Sequence, residues 1–228
     1  MDKGLIIFDF DGTLGDTRRN IVKTMRMSIA EMQLPDRSEA ACAATIGLPL
    51  EQCFRTLFPD IREELIPRCA ETYRRIFSEN MRTLQPQAFP GVVQTLEVLH
   101  RKGFKMTIAS SRSHKSLEEL THSMGIADYV GYLLGADDVR EAKPKPEPVL
   151  RTLTDMGFEA EEALVVGDMA VDILMGASAG ARTCGVTWGN GSRAELAEAG
   201  ADFIIDSIEE LIAIAEKIGN FSHTRLNK

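Results

Sequence analysis

Leu5-Ile6-Ile7-Phe8-Asp9-Phe10-Asp11-Gly12-Thr13-Leu14 is the stretch that decides the fold. Its first four residues are an unbroken apolar run too short for a helix. Such a run reads as a strand buried on both faces, as in parallel sheets covered by helices. It ends abruptly in two aspartates and a glycine. Acids at the carboxyl end of a parallel strand lie where open α/β sheets bind their ligands.

Working outward, the same kind of run recurs at 104–109 (FKMTIA) and 163–166 (ALVV), more weakly at 183–186 and 203–205. Residues 129–134 fit a strand or a helix. Helical spacing fills the gaps. Val92, Leu96 and Leu99 precede Gly103, and Val149, Leu153 and Met156 precede Gly157. Leu117, Leu120 and Met124 stand between a candidate N-cap, Ser113, and a terminating Gly125. This β-α-β-α order predicts a doubly wound, Rossmann-like parallel α/β core built from residues 1–15 and 85–228. Residues 16–84 differ. Ile21, Met25, Ile29 and Met32 step by threes and fours, as do Leu65, Cys69, Tyr73 and Ile76, and no good strand candidate appears. An all-helical domain inserted after the first strand is expected there, and the polar tail from Gly219 is expected to be loose.

Composition narrows the function. Hydrophobic residues make up 44% and charged residues 26% of the 228 residues, an ordinary globular balance. The formal charge of −8 argues against nucleic acid and anionic membranes as partners, since both demand dense positive charge. The insert is the exception: ten Arg and one Lys meet ten acids, so an anionic ligand and a solvated helix surface are both open readings. Cys42, Cys53, Cys69 and Cys184 show no metal spacing and read as reduced, buried thiols of a cytoplasmic protein. No apolar run approaches the ~18 residues of a membrane span.

The chemistry lies in what the strands deliver. The first ends in Asp9 and Asp11, and the run 163–166 ends in Gly167-Asp168-Met169-Ala170-Val171-Asp172. The run 104–109 ends in Ser110-Ser111. Clustered carboxylates repel unless a cation compensates, and an oxygen-only set selects a hard ion, Mg2+ before Ca2+ if phosphate is the substrate. Lys143, in Ala142-Lys143-Pro144-Lys145-Pro146, offers a positioned ammonium.

These four segments, in this order, resemble the motifs of the haloacid dehalogenase superfamily. The helical insert is similar to that family's C1 cap, and 89–91 (FPG), GVTWGNGSRAEL and ADFIIDS resemble the phosphoglycolate phosphatase branch. The resemblance implies a magnesium-dependent phosphatase of small phosphorylated metabolites. In it Asp9 is the nucleophile that forms an aspartyl phosphate, and Asp11 is the acid and base. Ser110, Ser111 and Lys143 bind the phosphoryl group. The metal lies among Asp9, the Asp11 carbonyl, Asp168 and, directly or through water, Asp172. Arg18, together with Gly47 in the Gly- and Pro-broken stretch Thr45-Ile46-Gly47-Leu48-Pro49-Leu50, is expected to govern substrate choice. A phosphomutase of the β-phosphoglucomutase type, an inorganic pyrophosphatase and a catalytically silent binding protein share the same core. Whether the chain is a monomer or a homodimer stays open.

Other patterns are weaker. Gly189-Asn190-Gly191-Ser192-Arg193-Ala194 matches G-x-G-x-x-A, but it comes late and its following acid, Asp206, is misplaced, so a surface loop is expected. Cys69 to Arg75 fits C-x5-R but contains no glycine and lies in a helical stripe. The four His residues form no metal pattern.

Overall fold

The computed structural model describes residues 3–225, with side chains through Ile218. Six strands form one parallel sheet: β1 (Leu5–Phe8), β4 (Lys105–Ala109), β5 (Tyr132–Leu134), β6 (Ala163–Gly167), β7 (Arg182–Val186) and β8 (Phe203–Ile205). Two-residue strands β2 (Gly15–Asp16) and β3 (Gln87–Ala88) stand where the chain leaves for the insert and returns from it. The order across the large sheet is β5-β4-β1-β6-β7-β8. The chain therefore winds one way from β1 through β4 to β5, then crosses back to β6 and winds the other way. The point of reversal lies between β1 and β6, and the carboxyl ends of those two strands carry Asp9 and Asp168.

Burial explains why these runs are strands. All four residues of β1 are at most 1% exposed, so each side chain packs against a helical layer. Leu5 and Ile7 share one face with Ala163 and Val165, under Val149 and Leu153 of helix α7 (Glu147–Met156) and Met175 of α8 (Ala170–Ser178). Each such side chain contributes about 1.5–3 kcal/mol on leaving water. The ambiguous run 129–134 resolves as the edge strand β5. Helices α5 (Val92–Arg101), α6 (His114–Ser123), α9 (Arg193–Glu198) and α10 (Glu210–Arg225) complete the layers. Helix α10 carries helical backbone through Arg225, into the segment whose polarity predicts a loose tail; residues 226–228 lie outside the described ones.

The chain divides into two compact units, Met1–Gly15 with Ala88–Lys228, and Asp16–Gln87. The second contains α1 (Arg18–Glu31), α2 (Glu39–Ala43), α3 (Leu50–Leu57) and α4 (Ile66–Asn80). Buried Met25 and Ile29 of α1 and Cys69, Tyr73 and Ile76 of α4 supply its core. A buried polar chain joins the same helices: the Asn80 amide donates to Thr24 Oγ1 (2.9 Å), the Thr24 hydroxyl to Asn20 Oδ1 (3.2 Å), and the Asn20 amide to the Leu84 carbonyl (2.7 Å). All four cysteines are free and buried. No helix among the described residues is long and apolar enough to cross a membrane.

Candidate active site

Asp9 begins where β1 ends. Its N–H still donates to the Val166 carbonyl of β6 (2.8 Å), which fixes its backbone in the ladder, while its side chain leaves the sheet edge. Lys143, from the loop after β5, places Nζ 2.5 Å from Asp9 Oδ1 and 2.7 Å from Asp172 Oδ1. Asp172 occupies the first turn of α8, where its other oxygen accepts the Met169 N–H (3.1 Å). Its helix-starting role and its place in the cluster therefore coexist, one oxygen each. Asp168, fully buried, follows directly after β6. Among the described residues, Asp9, Asp168 and Asp172 each offer a carboxylate oxygen within 4.8 Å of the others.

Electrostatics make this arrangement costly without a cation. Burial pushes the Asp9 carboxyl well above its usual range; Lys143 opposes this, and Asp172, Asp168 and Asp11 add to it. Burial, then the charge of Asp172, pushes Asp168 up to about 7 even though Asn190 bonds its carboxylate. Burial alone would lower Lys143, but Asp172 and Asp9 overcome it and hold the ammonium charged. Three buried carboxylates thus face one buried ammonium. Oxygen donors, close spacing and excess negative charge fit a hard divalent cation.

Asp11 is placed differently. Its carboxylate is outside the three-acid cluster and accepts from Arg112 Nε at 2.8 and 2.7 Å, one contact to each oxygen. Arg112 also donates from Nη1 to Ser116 Oγ (3.1 Å) and lies over the Phe10 ring, 5.9 Å from its centroid. Its side chain is 10% exposed and that of Asp11 12%, so the pair is largely shielded. Arg112 was not among the residues expected to matter; the sole sequence signal was its place two residues after Ser110. Ser110 lies just past β4, at the same sheet edge as Asp9, and its Oγ accepts the Arg112 N–H (3.3 Å). Ser111 follows it, half-buried. Arg18 and Gly47 belong to the other unit: Arg18 opens α1, and Gly47 adopts φ +94° between α2 and α3.

The Gly189–Asn190–Gly191 stretch is a loop, as expected, but a half-buried one that wraps Asp168. The Asn190 backbone N–H (2.6 Å) and side-chain amide (3.0 Å) both donate to Asp168 Oδ2. A Cβ on Gly189 would lie 2.3 Å from Asp168 Oδ2, and one on Gly191 2.3 Å from the Asp168 carbonyl. Opposite, Gly12 holds φ +90°, and a Cβ there would lie 2.2 Å from the same Oδ2. Ser192 then starts α9 as its N-cap, reciprocated by Glu195.

Comparison with known proteins agrees with this geometry. Residues 6–186 match the profile of the haloacid dehalogenase-like hydrolases. The curated protein named Probable phosphatase IndB from Dickeya dadantii is 34% identical over 95% of each chain. Pyrophosphatase PpaX of Anoxybacillus flavithermus is 31% identical, over 94% of this chain and 97% of its own. Phosphoglycolate phosphatase of Aquifex aeolicus is 32% identical, over 81% and 85%. Among solved structures, a haloacid dehalogenase-like hydrolase from Bacteroides fragilis superposes with a TM-score of 0.82 at 27% identity, covering 91% of this chain and 99% of that one.

Proposed function

The chain belongs to the haloacid dehalogenase-like hydrolases, and from that premise we propose that it is a magnesium-dependent phosphatase of small phosphorylated metabolites, most like phosphoglycolate phosphatase. The observation that carries this reading is the convergence of Asp9, Asp168 and Asp172 on one buried spot, with Lys143 bonded to two of them. We read the helical unit as the cap and the α/β unit as the catalytic core. Free, buried cysteines support a reducing, cytoplasmic setting, and the chain acts as a monomer or a homodimer in this reading.

Phosphoryl transfer asks mainly for positioning and charge neutralisation. Asp9, Asp168, Asp172 and the Asp11 carbonyl would hold Mg2+, which when bound offsets charge on the phosphoryl oxygens. The Asp9 carboxylate attacks phosphorus; the phosphorus–oxygen bond to the leaving group breaks, and that oxygen takes a proton from Asp11. Water then attacks the phosphorus of the aspartyl phosphate, gives its proton back to Asp11, and restores the Asp9 carboxylate. Ser110 and Ser111 orient the phosphoryl oxygens, and Lys143 offsets their charge. Arg112 Nε contacts both oxygens of Asp11 and so holds the orientation of the carboxylate, while each oxygen keeps a lone pair for the leaving oxygen.

The test combines two measurements. Asp9→Asn should fold and bind Mg2+ yet release no phosphate, and a rapid quench of the wild type should trap a phosphoryl adduct on Asp9. Phosphate release by a folded Asp9→Asn protein would sink the mechanism. A second reading, inorganic pyrophosphatase, draws on the likeness to the PpaX relative. Assaying pyrophosphate beside phosphoglycolate, a sugar phosphate and a nucleotide at equal concentration separates the two.

A further inference from the structure

The loop Gly189–Asn190–Gly191 has no part in the chemistry proposed above, yet it is built around one atom. Asp168 Oδ2 receives two hydrogen bonds from a single residue, Asn190, one from backbone and one from side chain. Glycines crowd that oxygen from two separate loops: Gly12 after β1 and Gly189 after β7 leave space in which a Cβ would come within 2.3 Å of it. On the other oxygen, the Thr13 hydroxyl stands 3.4 Å away, at the limit of a hydrogen bond. One oxygen is thus locked while the other is lightly held. A carboxylate anchored this way keeps its rotamer without a cation, so no ordering cost remains when one arrives.

We propose that Asn190 is a positioning residue for the metal site, fixing Asp168 so that the carboxylate is preorganised for Mg2+. This rests on the reading of Asp168 as a metal ligand. Partners that orient a ligand in this way typically carry about 10–100-fold in metal affinity. Asn190→Ala removes the side-chain donor and keeps the backbone one, so a graded loss is expected rather than abolition.

The measurement is calorimetric titration of the metal-free protein with Mg2+, alongside thermal unfolding with and without the ion. Wild type is titrated first; if it binds no Mg2+, the metal reading itself fails. If it binds, Asn190→Ala and Asn190→Ser should each raise Kd by about tenfold or more, and the Mg2+-induced rise in Tm should shrink in step. A purely structural role would lower the metal-free Tm and leave Kd where wild type has it, and that result overturns the proposal. Failure of both variants to fold without metal overturns it too, because Asn190 would then be needed for the fold itself.

Discussion

At the scale of single residues, the positions of Asp9 and Asp168 were legible because β1 and β6 are so plainly buried that their ends mark a sheet edge, whereas Lys143 stood out only through the proline-rich segment that holds it. Arg112 and Asn190 were not legible, because their meaning lies in partners far along the chain, Asp11 for one and Asp168 for the other. A lone arginine after two serines looks like surface charge, and a glycine-rich turn looks like a loop. Two predictions belong here. Lys143→Met keeps length but removes the ammonium between Asp9 and Asp172, leaving buried carboxylates unpaired. Breaking such a pair costs about 3–5 kcal/mol, so urea unfolding without metal should show a loss of that order, partly recovered by added Mg2+. A stability equal to wild type would mean Asp9 and Asp172 do not depend on the shared ammonium. Arg112→Lys keeps charge but loses the planar guanidinium that meets both Asp11 oxygens. If Arg112 positions Asp11, kcat should drop by about tenfold or more with KM little changed, since misplacing an acid/base group by 1 Å costs up to about 10²-fold. An equal fall in kcat/KM produced by a raised KM alone would instead assign Arg112 to substrate binding.

At the scale of elements, legibility tracked the apolar runs. The inner strands β1, β4 and β6 were read closely from theirs, while β7, also inner and buried from Thr183 on, was read only weakly because Thr183 and Gly185 break its run. Strand β5 was ambiguous because it is an edge strand whose Tyr132 and Leu133 are only half-buried. The start of α6 shows a related limit. Ser113 does occupy the N-cap position but makes no side-chain cap bond. The free N–H of His114 is taken by Asp137 Oδ1 (2.7 Å), and His114 Nδ1 lies 2.7 Å from Asp138 Oδ2. The loop after β5 therefore caps the helix after β4, a contact no local rule could supply. The bond to Asp138 raises the His114 pKa, against a smaller opposing effect of burial. A raised histidine stabilises the fold fully below its unfolded pKa of about 6.5 and loses that contribution as pH climbs through the raised value. His114→Gln should accordingly cost stability near pH 5.5 and little near pH 9, by under about 1 kcal/mol because the pair is partly exposed. Denaturant curves at both pH values would check this; a cost independent of pH would assign the contact to packing rather than charge.

At the scale of the whole molecule, the even balance of arginines and acids in the helical unit has a plain explanation for several of its cations. Arg26 pairs with Asp36 and Glu39, Arg55 with Glu63, Arg74 with Glu51, and Arg75 with Glu31 and Glu79, all on the exposed surface. Arg37 lies over the Phe58 ring and donates to the Leu57 carbonyl. The solvated-surface reading fits these residues, and net charge alone could not have separated them from a ligand-binding set. Substrate choice still needs an origin outside the α/β unit's phosphoryl-binding groups, since every phosphate ester presents those groups with the same phosphoryl oxygens. We propose Arg18 and Gly47 of the insert for that role. Gly47 holds φ +94°, where any side chain is strained, so Gly47→Ala should reshape the turn between α2 and α3. Arg18→Ala tests the chemistry more directly. A charge-assisted hydrogen bond to a second anionic group is worth about 1.5–3 kcal/mol, so kcat/KM for phosphoglycolate should fall about 10- to 100-fold relative to an ester with an uncharged leaving group. The Asp9 phosphoryl adduct formed from the uncharged ester should accumulate as in wild type. An equal loss on every ester, or none, would remove Arg18 from substrate choice and leave the anion-bearing leaving group to be recognised elsewhere.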